Sequence, residues 1–195
     1  MTKFRKLLPA ALAALVVVAV LAGPASASAS VWKKEGKNLT EKTTFALTGG
    51  EVIGTGTSVL LCNTTATMTT EGGSTASITA YAIEKASCIG LAGGVSGCEV
   101  TSATPKTLPW SVALNTSTLT AKATGVTYLF DTGCSIHKIE TSFPELTLTP
   151  EEPSAIKLFH FGQTGTGLVE GKSATVTTGG TMQMSAAQEG KYGIG

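Results

Sequence analysis

The chain has 195 residues, only 14% of them charged, against about 25% in an average domain, and its single arginine, Arg5, stands close to the amino terminus. Without arginine to make forked contacts to phosphate or guanine, and with no lysine cluster beyond Lys33 and Lys34, the rest of the chain is a poor nucleic-acid binder. Twelve glutamates and one aspartate, Asp131, likewise exclude calcium loops, which need several closely spaced Asp or Asn ligands.

Lys3, Arg5 and Lys6 precede an apolar run from Leu7 to Leu21 that only Pro9 interrupts. Pro24 then leads into Ala25-Ser26-Ala27 and Ala27-Ser28-Ala29, small residues at the positions a signal peptidase reads. Residues 1–29 are therefore read as a helical secretory signal peptide. The run is shorter than the ~20 residues a spanning helix needs, and no later stretch is long and apolar enough to cross a bilayer. Residues 30–195 form the expected single β-rich domain, with eleven lysines against thirteen acidic residues, a formal charge of −2.

Within that domain Trp32 precedes a charged turn at Gly36, and Leu39 resumes the apolar pattern. Thr43, Phe45 and Leu47 alternate with Thr44, Ala46 and Thr48, the period of a strand with one wet face, and Gly49-Gly50 reads as the hairpin turn that ends it. A run over 51–53, a turn at 54–57 and a second run over 58–69 carrying Cys62 come next. After the turn at Glu71-Gly72-Gly73 the alternation returns, with Ala76, Ile78, Ala80 and Ala82 on one face, and ends at Cys88. Beyond the loop between Cys88 and Cys98, strand-like runs occupy 99–102, 110–114, 119–123, 126–130, 136–140, 146–149, 156–161, 174–178 and 182–186. The last two are joined by Gly179-Gly180, in the manner of a two-residue hairpin. About ten to twelve short strands without intervening helices predict an all-β antiparallel fold, a β-sandwich or, as the alternative, a flattened β-barrel.

Four cysteines in an exported chain imply two disulfides, with three possible connectivities. The spacing favours Cys88 with Cys98, since the nine residues between them include four glycines, and Cys62 with Cys134 as a tie between an early and a late strand. No two cysteines have the close spacing of a zinc-thiolate or redox motif, so neither a metal nor a cofactor is expected.

Catalytic groups are scarce. A triad could draw on Asp131 with His137 or His160, yet the chain lacks a G-x-S-x-G elbow. His137, Glu140 and His160 follow no zinc-binding spacing, and carboxylate pairs drawn from Glu145, Glu151, Glu152 and Glu170 lack the aromatic platforms that glycosidases use, aromatic content being 6%. Trp32 and Trp110 read as core anchors.

The pattern Trp32-x3-Gly36-x2-Leu39, the cysteine ending a strand at Cys88, the return at Cys98, and Leu108-Pro109-Trp110-x3-Leu114 resembles small exported, functionally uncharacterised β-rich proteins of actinobacteria. The resemblance implies export from a Gram-positive cell and carries over no catalytic or binding residue. The expectation is a secreted or wall-associated, non-enzymatic module that binds an unknown envelope or extracellular component, through residues 89–97. One alternative is a secreted hydrolase using His137 or His160 with a carboxylate. Another is a protease inhibitor presenting the Cys88 to Cys98 loop, although four glycines oppose the rigidity that tight inhibition rewards.

Overall fold

The computed structural model describes residues 29–195 except 57, 98 and 134, so the expected signal peptide lies outside the described residues up to position 28, as do Cys98 and Cys134. The described chain is all-β. Its strands are Trp32–Lys34 (β1), Lys37–Asn38 (β2), Thr43–Thr55 (β3), Ser58–Thr70 (β4), Thr75–Ala92 (β5), Val100–Lys106 (β6), Trp110–Asn115 (β7), Thr120–Thr132 (β8), Lys138–Pro150 (β9), Leu158–Val169 (β10), Lys172–Met184 (β11) and Tyr192–Ile194 (β12). A single 3-10 turn, Gly93–Val95, follows β5.

Eight of these strands form a closed antiparallel barrel rather than a sandwich. They pair in the order β8, β7, β5, β4, β3, β11, β10, β9, and β9 returns to β8 from Ala121 opposite Leu148 to Asp131 opposite Lys138. β6 is an additional strand. It pairs with the upper part of β8, from Val100 opposite Thr132 to Lys106 opposite Thr127, on the edge that β7 occupies lower down. The two are separated by Thr107, which has a positive φ, and by the cis peptide Leu108-Pro109.

The sandwich expectation fails because the barrel strands are longer than the turn-forming residues suggest. Gly49-Gly50 is not a hairpin, since β3 runs straight through it, and β11 likewise runs through Gly179-Gly180. The ladder sets these glycines across from the facing strand's backbone, with Gly49 opposite Met182, Gly50 opposite Thr181, Val52 opposite Gly179 and Glu51 opposite Gly180. A Cβ on Gly49 would lie 1.8 Å from the Thr181 carbonyl oxygen, and one on Gly180 would lie 2.1 Å from that of Gly50. At Gly49 and Gly180 only glycine permits this approach, so there the glycines mark backbone proximity rather than chain reversal. In the same way 119–123 and 126–130 are one strand, β8, and 136–140 and 146–149 merge into β9.

Alternation along each strand sends one set of side chains inward. Phe45, Leu47, Glu51 and Ile53 of β3 and Leu60, Cys62, Thr64, Ala66 and Met68 of β4 are all buried, while Thr44, Ala46, Thr48, Asn63 and Thr65 are exposed. Eight strands enclose a space that side chains can fill. Here Tyr81, Trp110, Tyr128, Phe130 and Phe143 fill its centre, with Tyr81 and Tyr128 stacked at 5.3 Å and Trp110 tilted against Tyr81 at 5.1 Å. The Trp110 indole N–H donates to the Lys106 carbonyl at 2.8 Å, which ties the start of β7 to the end of β6.

One end of the barrel is stoppered by the small sheet β12-β1-β2. Trp32 and Tyr192 close on Phe45 from either side, with ring centroids 5.4 and 4.9 Å away, and Ile156 and Ile194 complete the plug. Gln188 fastens the carboxyl-terminal turn to β3, accepting from Ala46 N–H at 3.0 Å and donating to the Thr44 carbonyl at 2.6 Å.

The expected disulfide pairing is also corrected. Cys62 of β4 is bonded to Cys88 of β5, which rules out both Cys88 with Cys98 and Cys62 with Cys134, because each sulfur joins one partner. The bridge spans two strands that are hydrogen-bonded neighbours on either side of it, at Leu61 opposite Ile89 and Asn63 opposite Glu84, and the extra residues of β5 between those pairs bring Cys88 inward. Sequence spacing favours the short glycine-rich loop, but β5 continues past Cys88 to Ala92 and carries that cysteine away from the loop. Peptide mapping of the non-reduced protein is expected to recover Cys62 linked to Cys88, and a linked Cys88–Cys98 peptide would contradict this. Replacing both Cys62 and Cys88 with alanine is expected to cost about 3.5 kcal/mol in denaturant unfolding, the loop-closure value for a separation of 26 residues.

Candidate functional site

Among the described residues, a buried cluster of chemistry-bearing side chains surrounds Glu51. Alternation along β3 turns this residue into the barrel, and its ladder neighbours, Cys62 on β4 and Gly180 on β11, are small enough to leave its carboxyl room. Tyr81 of β5 donates its hydroxyl to Glu51 Oε2 at 2.5 Å, and Thr178 of β11 donates to Oε1 at 2.5 Å. Tyr128 of β8 stacks on Tyr81 beside them. Burial pushes the Glu51 carboxyl above its ordinary range, opposed by the hydroxyl donors of Thr178, Tyr81 and Tyr128. Burial, and then the neighbouring Glu51 carboxyl, hold Tyr81 and Tyr128 well above the usual phenol range.

No substrate can reach this group. Glu51 is fully buried, and the space left among Tyr81, Trp110, Val126, Tyr128, Phe161 and their neighbours amounts to about 10 Å³, roughly the volume one water occupies. The arrangement places an acid in the lining and satisfies it from three strands, which is a structural role. Nothing in the sequence around Glu51 distinguishes it from the eleven other glutamates except its inward parity after Phe45 and Leu47, a signal that Gly49-Gly50 masks when read as a turn.

The residues considered from sequence lie elsewhere and apart. His137 is exposed just before β9, and Glu170, at the tip between β10 and β11, accepts from the backbone N–H of His137 and from that of Lys138, the latter at 2.9 Å. These donors, Lys138 foremost, draw the Glu170 carboxyl below its ordinary range. His160 is exposed on β10 opposite Thr149 and Thr181. Val169, at the end of β10 nearest His137, is nine residues further along that strand, roughly 30 Å away. Asp131 is half-buried on β8, across the ladder from Lys138. Glu145 pairs with Lys122 at 2.6 Å on the surface, and Glu151 and Glu152 form an exposed corner where Glu152 accepts from the Ser154 hydroxyl at 3.1 Å. Among the described residues no group of three His, Cys, Asp or Glu side chains is placed to hold a metal ion.

The glycine-rich segment begins as strand, β5 continuing to Ala92, and then turns through Gly93–Val95. Ile89 and Leu91 on β5 are exposed, whereas Val95 at the end of the 3-10 turn is fully buried. The Gly97 N–H returns to the Gly90 carbonyl at 3.0 Å, folding the segment back on itself rather than presenting it as a free loop.

Next to this segment the barrel wall is incomplete. β5 is laddered to β4 on one edge, but on the other it meets β7 only over Thr75–Ile78; β6 is laddered to β8 alone. From Thr79 onward the free edge of β5 faces the free edge of β6. A cleft of about 390 Å³ opens there, lined by Lys85, Ala86 and Cys88 from β5 and by Glu99, Val100 and Thr101 from β6 and the residue before it.

The buried acid makes the barrel's stability depend on pH. With its folded-state pKa raised from 4.5, Glu51 contributes stability that is fully present below about 4.5 and is lost as the pH rises through the raised value. Denaturant unfolding is therefore expected to show wild-type stability falling, relative to the Glu51→Gln variant, as the pH is raised from 4.5 toward 8; parallel curves for the two proteins would show that Glu51 does not titrate in this way. No protein-family model matches the chain, and no curated protein or solved structure matches it either.

Proposed function

We propose that this chain is an exported, non-enzymatic β-barrel module that binds a component of the cell surface or of the surrounding medium. The observation that carries the reading is the separation of chemistry from access: among the described residues, the polar cluster at Glu51 is sealed inside, while His137, His160, Asp131 and the surface glutamates stand apart. A hydrolase needs a base and a carboxylate within reach of a shared cleft. Glu170 engages the backbone beside His137, leaving the imidazole free of that carboxylate in the described contacts. Export is supported by the basic start, the apolar run and the small residues before Ala29, and a disulfide suits an oxidising compartment.

The filled lumen directs the binding reading to the outside of the barrel and away from a small ligand held within. The immobilised protein is expected to retain the same envelope or medium component whether it carries His137 and His160 or alanine at both positions. Loss of capture in the double variant, or a hydrolytic activity that disappears with the histidines, would favour the hydrolase instead.

A further inference from the structure

We propose that Cys98 and Cys134 form a second disulfide, which fastens the start of β6 to the end of β8 and fixes the seam where β5 and β6 face one another. The inference goes beyond the binding reading and does not depend on what the barrel binds.

Both cysteines lie outside the described residues, but the residues on either side of each are described. β6 and β8 run antiparallel with Val100 opposite Thr132, and one step inside that pair Thr101 Oγ1 donates to the Asp131 carbonyl at 3.1 Å. One residue further out the pairing continues, because the Gly133 N–H donates to the Glu99 carbonyl at 3.2 Å. In an antiparallel pair a step back along one strand is a step forward along the other, so the next opposed positions are 98 and 134. Directly opposed residues have Cα atoms about 4.5 to 5.5 Å apart, inside the range of roughly 4.4 to 6.8 Å that a disulfide spans.

The chain offers neither cysteine another partner. It has four cysteines, and Cys62 and Cys88 are joined to each other. To form the second bond, the two thiols give up two protons and two electrons to a disulfide-bonded oxidant, a thiol oxidoreductase or a small disulfide. The thiolate of one cysteine attacks a sulfur of this donor, and the other cysteine then displaces the donor, whose own S–S bond ends as two thiols.

Such a bridge completes the attachment of β6. That strand is laddered to β8 alone, and its far end is already tied to β7 by the Trp110 indole at Lys106. The glycine-rich residues 89–97 would run between two anchored cysteines, Cys88 held on β4 and Cys98 held beyond β8. The two walls of the cleft, Cys88 on one side and Glu99 to Thr101 on the other, would keep their spacing.

The test uses the oxidised protein recovered from an exporting host. Digestion without reduction by trypsin and chymotrypsin cuts at Leu91, between Cys88 and Cys98, and at Lys106 and Lys122, between Cys98 and Cys134. The expected result is a Cys98 peptide linked to a Cys134 peptide, separate from the Cys62 and Cys88 pair, with no reactive thiol in the denatured protein. Cys98→Ala is expected to leave one reactive thiol, at Cys134, and to speed amide exchange in 100–106 about tenfold while β3, β4 and β11 keep their protection. Free thiols at Cys98 and Cys134 in the unaltered protein, a link from either to Cys62 or Cys88, or a link from either to a second chain would overturn the proposal. A linked peptide with exchange in 100–106 unchanged by Cys98→Ala would overturn the fastening of β6. Peptide mapping needs no variant, so the bond itself is tested even where the variant fails to fold.

Discussion

The pairing of β9 back onto β8 is the constraint from which the rest of the architecture follows. Without it the chain would be an open, twisted sheet with two long edges. With it, the ring has a fixed number of strands and hence a fixed bore. That bore decides how much side chain the interior holds, which is why the centre is occupied by Tyr81, Trp110, Tyr128 and Phe143 in mutual contact rather than by solvent. Closure also sets where the wall must thin. Gly49 and Gly180 lie against the backbone of the facing strand, and Phe161 of β10 packs toward the space that a side chain on Gly180 would fill.

A bore filled by aromatic rings leaves little tolerance for charge, and Glu51 is the exception that the hydroxyl groups of Tyr81 and Thr178 accommodate. The carboxyl lies beside Cys62, so the disulfide and the polar cluster brace the same stretch of β3, β4 and β5. Along that same stretch of β5, from Thr79 onward, the ladder to β7 is missing.

Much of this was readable in the amino-acid order, for reasons that are local. Alternation such as Thr44-Phe45-Ala46-Leu47-Thr48 records which side of a sheet each residue faces, and it correctly implies strands that are wet on one side. The turns at Gly36 and at Gly72-Gly73 are visible because these residues adopt positive φ, which favours glycine. Closure is a different matter, since it depends on whether residues near 121–131 meet those near 138–148, and no local pattern distinguishes that pairing from an open hairpin in a sandwich. Strand glycines mislead for a related reason: their role at 49–50 and 179–180 is set by a backbone more than a hundred residues away. The same distance effect hid Glu51, whose inward orientation depends on β3 continuing through the glycines, and the Cys62–Cys88 bridge, which depends on β5 outlasting its own alternation.

The two ends of the described chain are knitted together. Val31 N–H donates to the Gly195 carbonyl at 3.0 Å, Gly195 N–H donates back to the Val31 carbonyl at 3.2 Å, and the strands they flank, β1 and β12, belong to the small sheet that stoppers the barrel. Whatever is fused before Val31 or after Gly195 therefore departs from one pole, while the seam opens toward the other. A short linker from Gly195 to Ser30 would yield a circular chain without disturbing a single rung of the ring.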